Sequence, residues 1–246
     1  MHKKNGSTAV VSILLAHGAR VSDTNLKLET PLHTTARFGV AEVVPLLLEA
    51  GADTQARDIL GRTPTHAAVE ARRDKHGHRS SSDRTCSVLK SLMDTWDPRY
   101  KLSRLSIKDN NGMTPLLLAC DQESLFHVVR LLDIKDININ AADFKGETVL
   151  HVCVRHGWFI EIEILIELGV EIHVRDDNGE TPIELATRLR RSWKIERCEE
   201  MLLRRQNISQ ERWGAISMGL HKRLGAESRI GVLNIREIEQ MIARTL

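Results

Sequence analysis

Aromatic residues make up only 4% of this 246-residue chain. A core short of Tyr, Trp and Phe must be built from Leu, Ile, Val and Ala, which favours helices packed through aliphatic faces over aromatic-rich strands. Neither sign of charge dominates: 35 Lys and Arg against 33 Asp and Glu leave a formal +2. That balance argues against a nucleic-acid partner, which needs a strong cationic surplus. No stretch reaches the roughly 18 apolar residues of a membrane span, so no membrane insertion is expected. Cysteine is sparse, and Cys86, Cys120, Cys153 and Cys198 form no CxxC pair or cluster. They read as reduced thiols of a cytoplasmic or nuclear protein. The opening "MHKKNGSTAVVSILLAHG" has an apolar run of only about eight residues and no small-residue cleavage site. A P-loop, a Rossmann fingerprint and a Ser/His/Asp arrangement are all missing. The expectation is no catalytic residue, no metal, no cofactor and no small-molecule substrate.

What is present is repetition. Thr30-Pro31 recurs as Thr63-Pro64, Thr114-Pro115, Thr148-Val149 and Thr181-Pro182, at spacings of 33, 51, 34 and 33 residues. Two residues upstream stand Gly61, Gly112, Gly146 and Gly179, with Leu28 in that place in the first copy. Apolar runs ending in glycine follow: "VVPLLLEAGA" and "EILIELGV", matching "VVSILLAHGA" near the start. Turn chemistry, phase and apolar spacing agree on a period of about 33 with one long insertion.

Each unit reads as a turn followed by two short helices. "DILGRT", "DNNGMT", "DFKGET" and "DDNGET" place Asp three residues before Gly, as a tight turn requires. Thr is a good helix N-cap, and Pro suits the first helical position because its missing N–H is not needed there. His33, His66 and His151, three residues after Thr30, Thr63 and Thr148, can reach back to the Thr hydroxyl or to free amides, as Glu does in a capping box. A recurring histidine of this kind is a cap, not a catalytic base; Leu117 and Glu184 replace it in two copies. Small pairs such as Ala67-Ala68 and Ala119-Cys120 let neighbouring first helices approach closely, which makes buried, inert thiols of Cys120 and Cys153.

These residues, above all "TPLH" at 30–33 and "TPTHAA" at 63–68, resemble the ankyrin repeat. The resemblance covers about residues 5–205. It implies an all-α solenoid of antiparallel helix pairs with projecting β-turn or hairpin loops, rarely catalytic and used to bind other proteins.

Several segments depart from the pattern. Residues 1–28 hold only a partial N-terminal unit, so Val10, Val11, Ile13 or Leu14 should lie on an open edge; we expect a fragment of a longer protein. Residues 29–205 hold the repeats, with an insertion at about 72–104. Within it 72–84 reads as an exposed basic loop, where His76 and His78 lack further metal ligands and Ser80 to Ser82 weakly match a phosphate acceptor. Pro45 is harmless in a first helical turn and kinks a helix beyond it. Residues 206–246 read as a helical extension that caps the stack, with "SQERWGAISMGLHKRLG" and "NIREIEQMIARTL" as two helices and Asn234 with Glu237 as a capping box.

The functional expectation is a non-catalytic scaffold that binds a partner protein through turn tips and concave helix faces. Tip residues that the fold does not dictate are Ile59, Leu60, Met113 and Phe144, with Arg57, Lys108, Lys145 and Arg175 around them. The alternative is the regulatory or substrate-recruiting arm of a larger enzyme, such as a ubiquitin ligase or a signalling NTPase.

Overall fold

The computed structural model describes residues 6–70, 82–122, 124–189 and 192–217. His76, His78, Ser80, Ser81, the part of the helix expected at 209–225 that follows residue 217, and all of the helix expected at 234–246 lie outside the described residues. The fold divides into two compact units, Met1–Phe144 and Lys145–Leu246. Both are helical, and no regular strand occurs among the described residues. The fold class is all-α, built of helix pairs joined by turns.

In the first unit α1 (Gly6–Ala16) precedes the pairs. Helix α2 (Pro31–Phe38) is followed by a 3-10 turn, Ala41–Val43, and α3 (Val44–Glu49). Pro45 sits in the first turn of α3, where it removes no helical hydrogen bond. Helix α4 (Pro64–Val69) pairs with α5 (Ser82–Asp94), and α7 (Pro115–Asp121) with α8 (Leu125–Leu132). The insertion carries a helix the sequence reading did not separate, α6 (Pro98–Leu105). Its signal was present: Asp97 accepts from the Arg99 N–H at 2.9 Å and Pro98 stands in the first turn.

In the second unit α9 (Val149–His156) pairs with α10 (Phe159–Glu167), and α11 (Pro182–Arg188) leads to α12 (Trp193–Ser217). Helix α12 runs 25 residues without a break. It crosses the boundary expected at 206, where no Gly or Pro stands between Trp193 and Gly214 to stop it. It packs on α10 and α11, with Cys198 and Leu202 fully buried.

The core is aliphatic and small-residue rich. Ala36, Ala67, Ala68, Ala119 and Cys120 in the first unit, and Cys153 in the second, have no exposure. Short side chains there bring the first helices close enough for Leu32, Leu117 and Leu150 to be buried behind them. Along α1, Val10, Ile13 and Leu14 are more than half exposed, whereas Val11 is only half-buried.

One turn is strained. Gly61, Gly112, Gly146 and Gly179 all have φ between 71 and 81°, and Leu28 holds the same place at φ 58°. A side chain in the left-handed region costs about 1 kcal/mol, and Leu28 recovers little by burial, being 50% exposed. Leu28→Gly is therefore expected to stabilise the protein by about 0.5–1 kcal/mol despite the extra freedom glycine has when unfolded. Urea denaturation decides it; a lower midpoint would mean that the Leu28 side chain packs where the fold shows it open.

Candidate functional site

The turns before each first helix are held from below by one side chain. Asp58 Oδ1 accepts from the N–H groups of Leu60 and Arg62, both at 2.9 Å. Asp109 does the same for Asn111 and Met113, at 2.8 and 2.9 Å, and Asp176 for Asn178 and Glu180, at 3.0 and 2.9 Å. The amide bonds hold the Asp176 carboxyl below the usual range against the opposing effect of burial. In the first turn Asn25 takes the part of Asp, accepting from Lys27 and Glu29. Neighbouring tips are then laced together. The Ile59 N–H donates to the Lys27 carbonyl at 2.9 Å, Asn110 to Leu60 at 2.9 Å, and Phe144 to Asn111 at 3.2 Å. In the second unit Asp177 donates to Lys145 at 2.9 Å. A tip side chain is thus presented on a fixed backbone.

Below the tips, the histidines join consecutive repeats. The Thr30 N–H donates to His33 Nδ1 at 3.2 Å, so Nε2 carries the hydrogen and donates to the Arg62 carbonyl at 3.0 Å. An amide can only donate and a carbonyl can only accept, which fixes the neutral tautomer. His66 links Thr63 to the Met113 carbonyl at 3.1 Å in the same way, and His151 links Thr148 to Glu180 at 3.0 Å. The bridge to the next repeat was not read from the sequence. Burial pushes His33 below its ordinary pKa and His66 down to about 4, although their carbonyl partners and the nearby Asp58 and Asp109 work the other way. At Thr181, Glu184 is no loss of the cap: its carboxylate accepts from the Thr181 N–H at 2.7 Å.

A second repeat-spaced feature flanks the tips. The residue before each Thr pairs with one eight positions on: Glu29–Arg37 at 2.7 Å, Arg62–Glu70 at 2.8 Å, Glu147–Arg155 at 2.6 Å and Glu180–Arg188 at 2.6 Å. The sign is reversed in the second copy, which also brings Arg37 within 3.1 Å of Glu70. The third copy has Met113 in place of the first charge, an apolar gap in this row.

The expected partner-binding residues separate on this frame. Ile59, Leu60 and Phe144 are 56%, 45% and 65% exposed at the tips. Lys108 lies over the Phe144 ring at 5.6 Å, and the ring rests on the backbone of Gly112. Lys145 is exposed at a tip. Met113 is half-buried at the base of its turn instead, one residue beyond Gly112. Arg57 and Arg175 are also less free than expected. Arg57 donates to the carbonyls of Gly61 and Lys108, at 3.1 and 2.9 Å. Arg175 donates to the carbonyl of Gly179 and pairs with Glu184 at 2.9 Å. Both guanidiniums brace their own turn, because they share one register, six residues before Thr. Leu26 was overlooked: fully exposed, it stands one residue after Asn25, in the register of Ile59 and Phe144.

Elsewhere chemistry is muted. Cys120, Cys153 and Cys198 are buried and in no disulfide, and burial pushes the Cys198 thiol up to about 12. Among the described residues no group of His, Cys, Asp and Glu is arranged to hold a metal, and no helix is long and apolar enough to cross a membrane.

Comparison with known families agrees with this architecture. Models of ankyrin repeats match residues 2–78 (three copies), 111–144 (a single repeat) and 131–186 (many copies). The chain belongs to the ankyrin-repeat family. It is 30% identical to Rabankyrin-5 of Mus musculus over 160 residues, which is 64% of this chain and 12% of that protein. It is 29% identical to Neurogenic locus notch homolog protein 1 of Homo sapiens over 185 residues, 75% of this chain and 6% of that protein. The chain thus spans a small part of the relatives it matches. Ankyrin repeats are in general protein–protein interaction modules.

Proposed function

We propose that this chain is a non-catalytic adaptor that holds a partner protein across its turn tips and the adjoining first-helix faces. The observation that carries the reading is the exposure of Ile59, Leu60 and Phe144 on turns whose backbones are fixed by Asp side chains and tip-to-tip hydrogen bonds. Rigid apolar anchors lose little freedom on binding, and interface energy concentrates in such residues. The repeat histidines His33, His66 and His151, which have the chemistry of general bases, are occupied in caps. Free thiols fit a reducing compartment, the cytoplasm or the nucleus.

The test is a capture of partners from cell extract by the chain and by Phe144→Ala. The variant is expected to weaken the complex at least tenfold, while stability changes by no more than about 1 kcal/mol, the scale of an exposed cation–π contact. Undiminished capture would place the partner elsewhere. A second reading is favoured by the small share of its relatives that the chain spans: these repeats act as the regulatory or recruiting arm of a larger enzyme. Catalytic motifs flanking this segment in the full gene would support it.

A further inference from the structure

The tip row of the first unit is not a neutral surface. Leu26 is fully exposed, Leu28 and Ile59 are each about half exposed or more, and Leu60 is 45% exposed. The bond from the Ile59 N–H to the Lys27 carbonyl at 2.9 Å sets the two turns side by side, so four exposed apolar residues stand on adjoining turns, a stripe in the tip row. The repeat does not ask for two apolar residues here: the registers of Ile59 and Leu60 hold Asn110 and Asn111 in the next turn, Phe144 and Lys145 in the one after, and Asp177 and Asn178 in the last. Leu28 even keeps its side chain at a φ of 58°, where glycine is at ease. Retained backbone strain without compensating burial points to a use for the side chain.

The charged side chains on and beside these turns are mostly cationic. Lys27, Arg57 and Lys108 stand there without an ion pair to a carboxylate among the described residues: Lys27 acts on Glu29 only at longer range, Arg57 spends one nitrogen on two backbone carbonyls, and Lys108 lies over Phe144. Asp23 is taken up by Arg20 at 2.7 Å. The acid of the second turn, Asp58, is buried and turned inward, its Oδ1 taken by two backbone N–H groups. Asp109 is committed in the same manner. What faces outward is therefore apolar side chains beside cations that no carboxylate neutralises by an ion pair.

We propose that this stripe receives an acidic segment of the partner protein, which seats apolar side chains against Leu26, Leu28, Ile59 and Leu60 and sets carboxylates against Lys27, Arg57 and Lys108. The proposal rests on the reading of the tips as the partner-binding surface and adds the partner's chemistry. Three cations are too few for a polyanion or an anionic membrane, which call for larger basic clusters. Short-range steering of an acidic segment needs no more.

The experiment pans a random peptide library on the 246-residue chain, and measures the recovered peptides against three folded variants. These are Ile59→Ser with Leu60→Ser, Lys27→Glu with Lys108→Glu, and Leu28→Gly. The expected peptides carry Asp and Glu around Leu, Phe or Trp. Their binding should fall at least tenfold in each double variant and weaken with added salt. Leu28→Gly should weaken them severalfold although it makes the fold more stable, a split that general unfolding does not produce. Basic or uncharged peptides that still need Leu60 would overturn the acidic segment and leave the tip reading standing. Peptides indifferent to every variant would overturn both. Failure to recover any tip-dependent peptide, or firm binding to phosphatidylcholine vesicles containing about 30% phosphatidylserine, overturns the proposal.

Discussion

Lowering the pH from 7 to 4 is expected to remove about 6 kcal/mol of stability through two histidines alone. His66 and His127 are both driven down to about 4 by burial, while an unfolded histidine titrates near 6.5. Between those values the unfolded chain binds more protons than the folded one, so stability rises with pH across this window. The contribution is complete above about 6.5 and is lost as pH falls to about 4, roughly 3 kcal/mol for each side chain. His33 shifts in the same direction and adds to the loss. His127 has the weaker support: Ser124 lies 2.5 Å from Nδ1, but Nε2 finds no partner. His127→Leu should therefore flatten the pH dependence at little cost to stability at pH 7, because it removes a buried polar atom that is unsatisfied. Urea midpoints from pH 7 to 4 provide the check. A stability that stays level down to pH 4.5 would show that these imidazoles are solvated, and that the acid loss belongs to carboxylates such as Glu29 and Asp176, which lose their stabilising ionisation only at lower pH.

The same histidines mark the boundary between what a one-dimensional reading gives and what it does not. Thr30 with His33 is a local pair, three residues apart, and its capping geometry follows from helix pitch. The partner of Nε2 is 29 residues away for His33 and 47 for His66, a distance stretched by the insertion and therefore invisible to a fixed period. The helix pairs and their order were readable because Thr-Pro, Asp-Gly and the aliphatic spacing repeat in phase. Helix α6 was missed because it belongs to no repeat, although Asp97-Pro98 announces its start. At the site, Ile59, Leu60 and Phe144 could be placed at tips from the Asp-to-Gly spacing alone. Leu26 was not, since its turn begins with Asn25 and closes on Leu28 instead of Gly. Arg57 and Arg175 are braced where the sequence suggests free surface, because their guanidiniums bond backbone carbonyls, which leave no trace in residue identity; Arg175 also pairs with Glu184, nine residues on.

Gly112→Ala is expected to destabilise the protein by about 3 kcal/mol or more, and Gly179→Ala by only about 1 kcal/mol, although the two glycines occupy the same place in the repeat. Both have a left-handed backbone, at φ 81° and 77°, so each substitution bears the cost of a side chain in that region. The difference lies in what the new methyl group meets. At Gly179 nothing stands within 4 Å. At Gly112 a Cβ would fall 2.4 Å from the Phe144 backbone nitrogen and 2.7 and 2.8 Å from two atoms of its ring. The ring can rotate away, but the backbone nitrogen is held where its N–H donates to the Asn111 carbonyl at 3.2 Å. Relief of the clash therefore means breaking that tip-to-tip bond and moving Phe144 off Lys108. Loss of a packed, hydrogen-bonded contact adds to the backbone strain instead of replacing it. Thermal and urea melts of the two variants measure the contrast, with Gly18→Ala, another left-handed glycine with open space around it, as a second control. Equal losses at Gly112 and Gly179 would mean that adjacent tips are not in contact, and that the apolar side chains on them are not presented on a fixed frame.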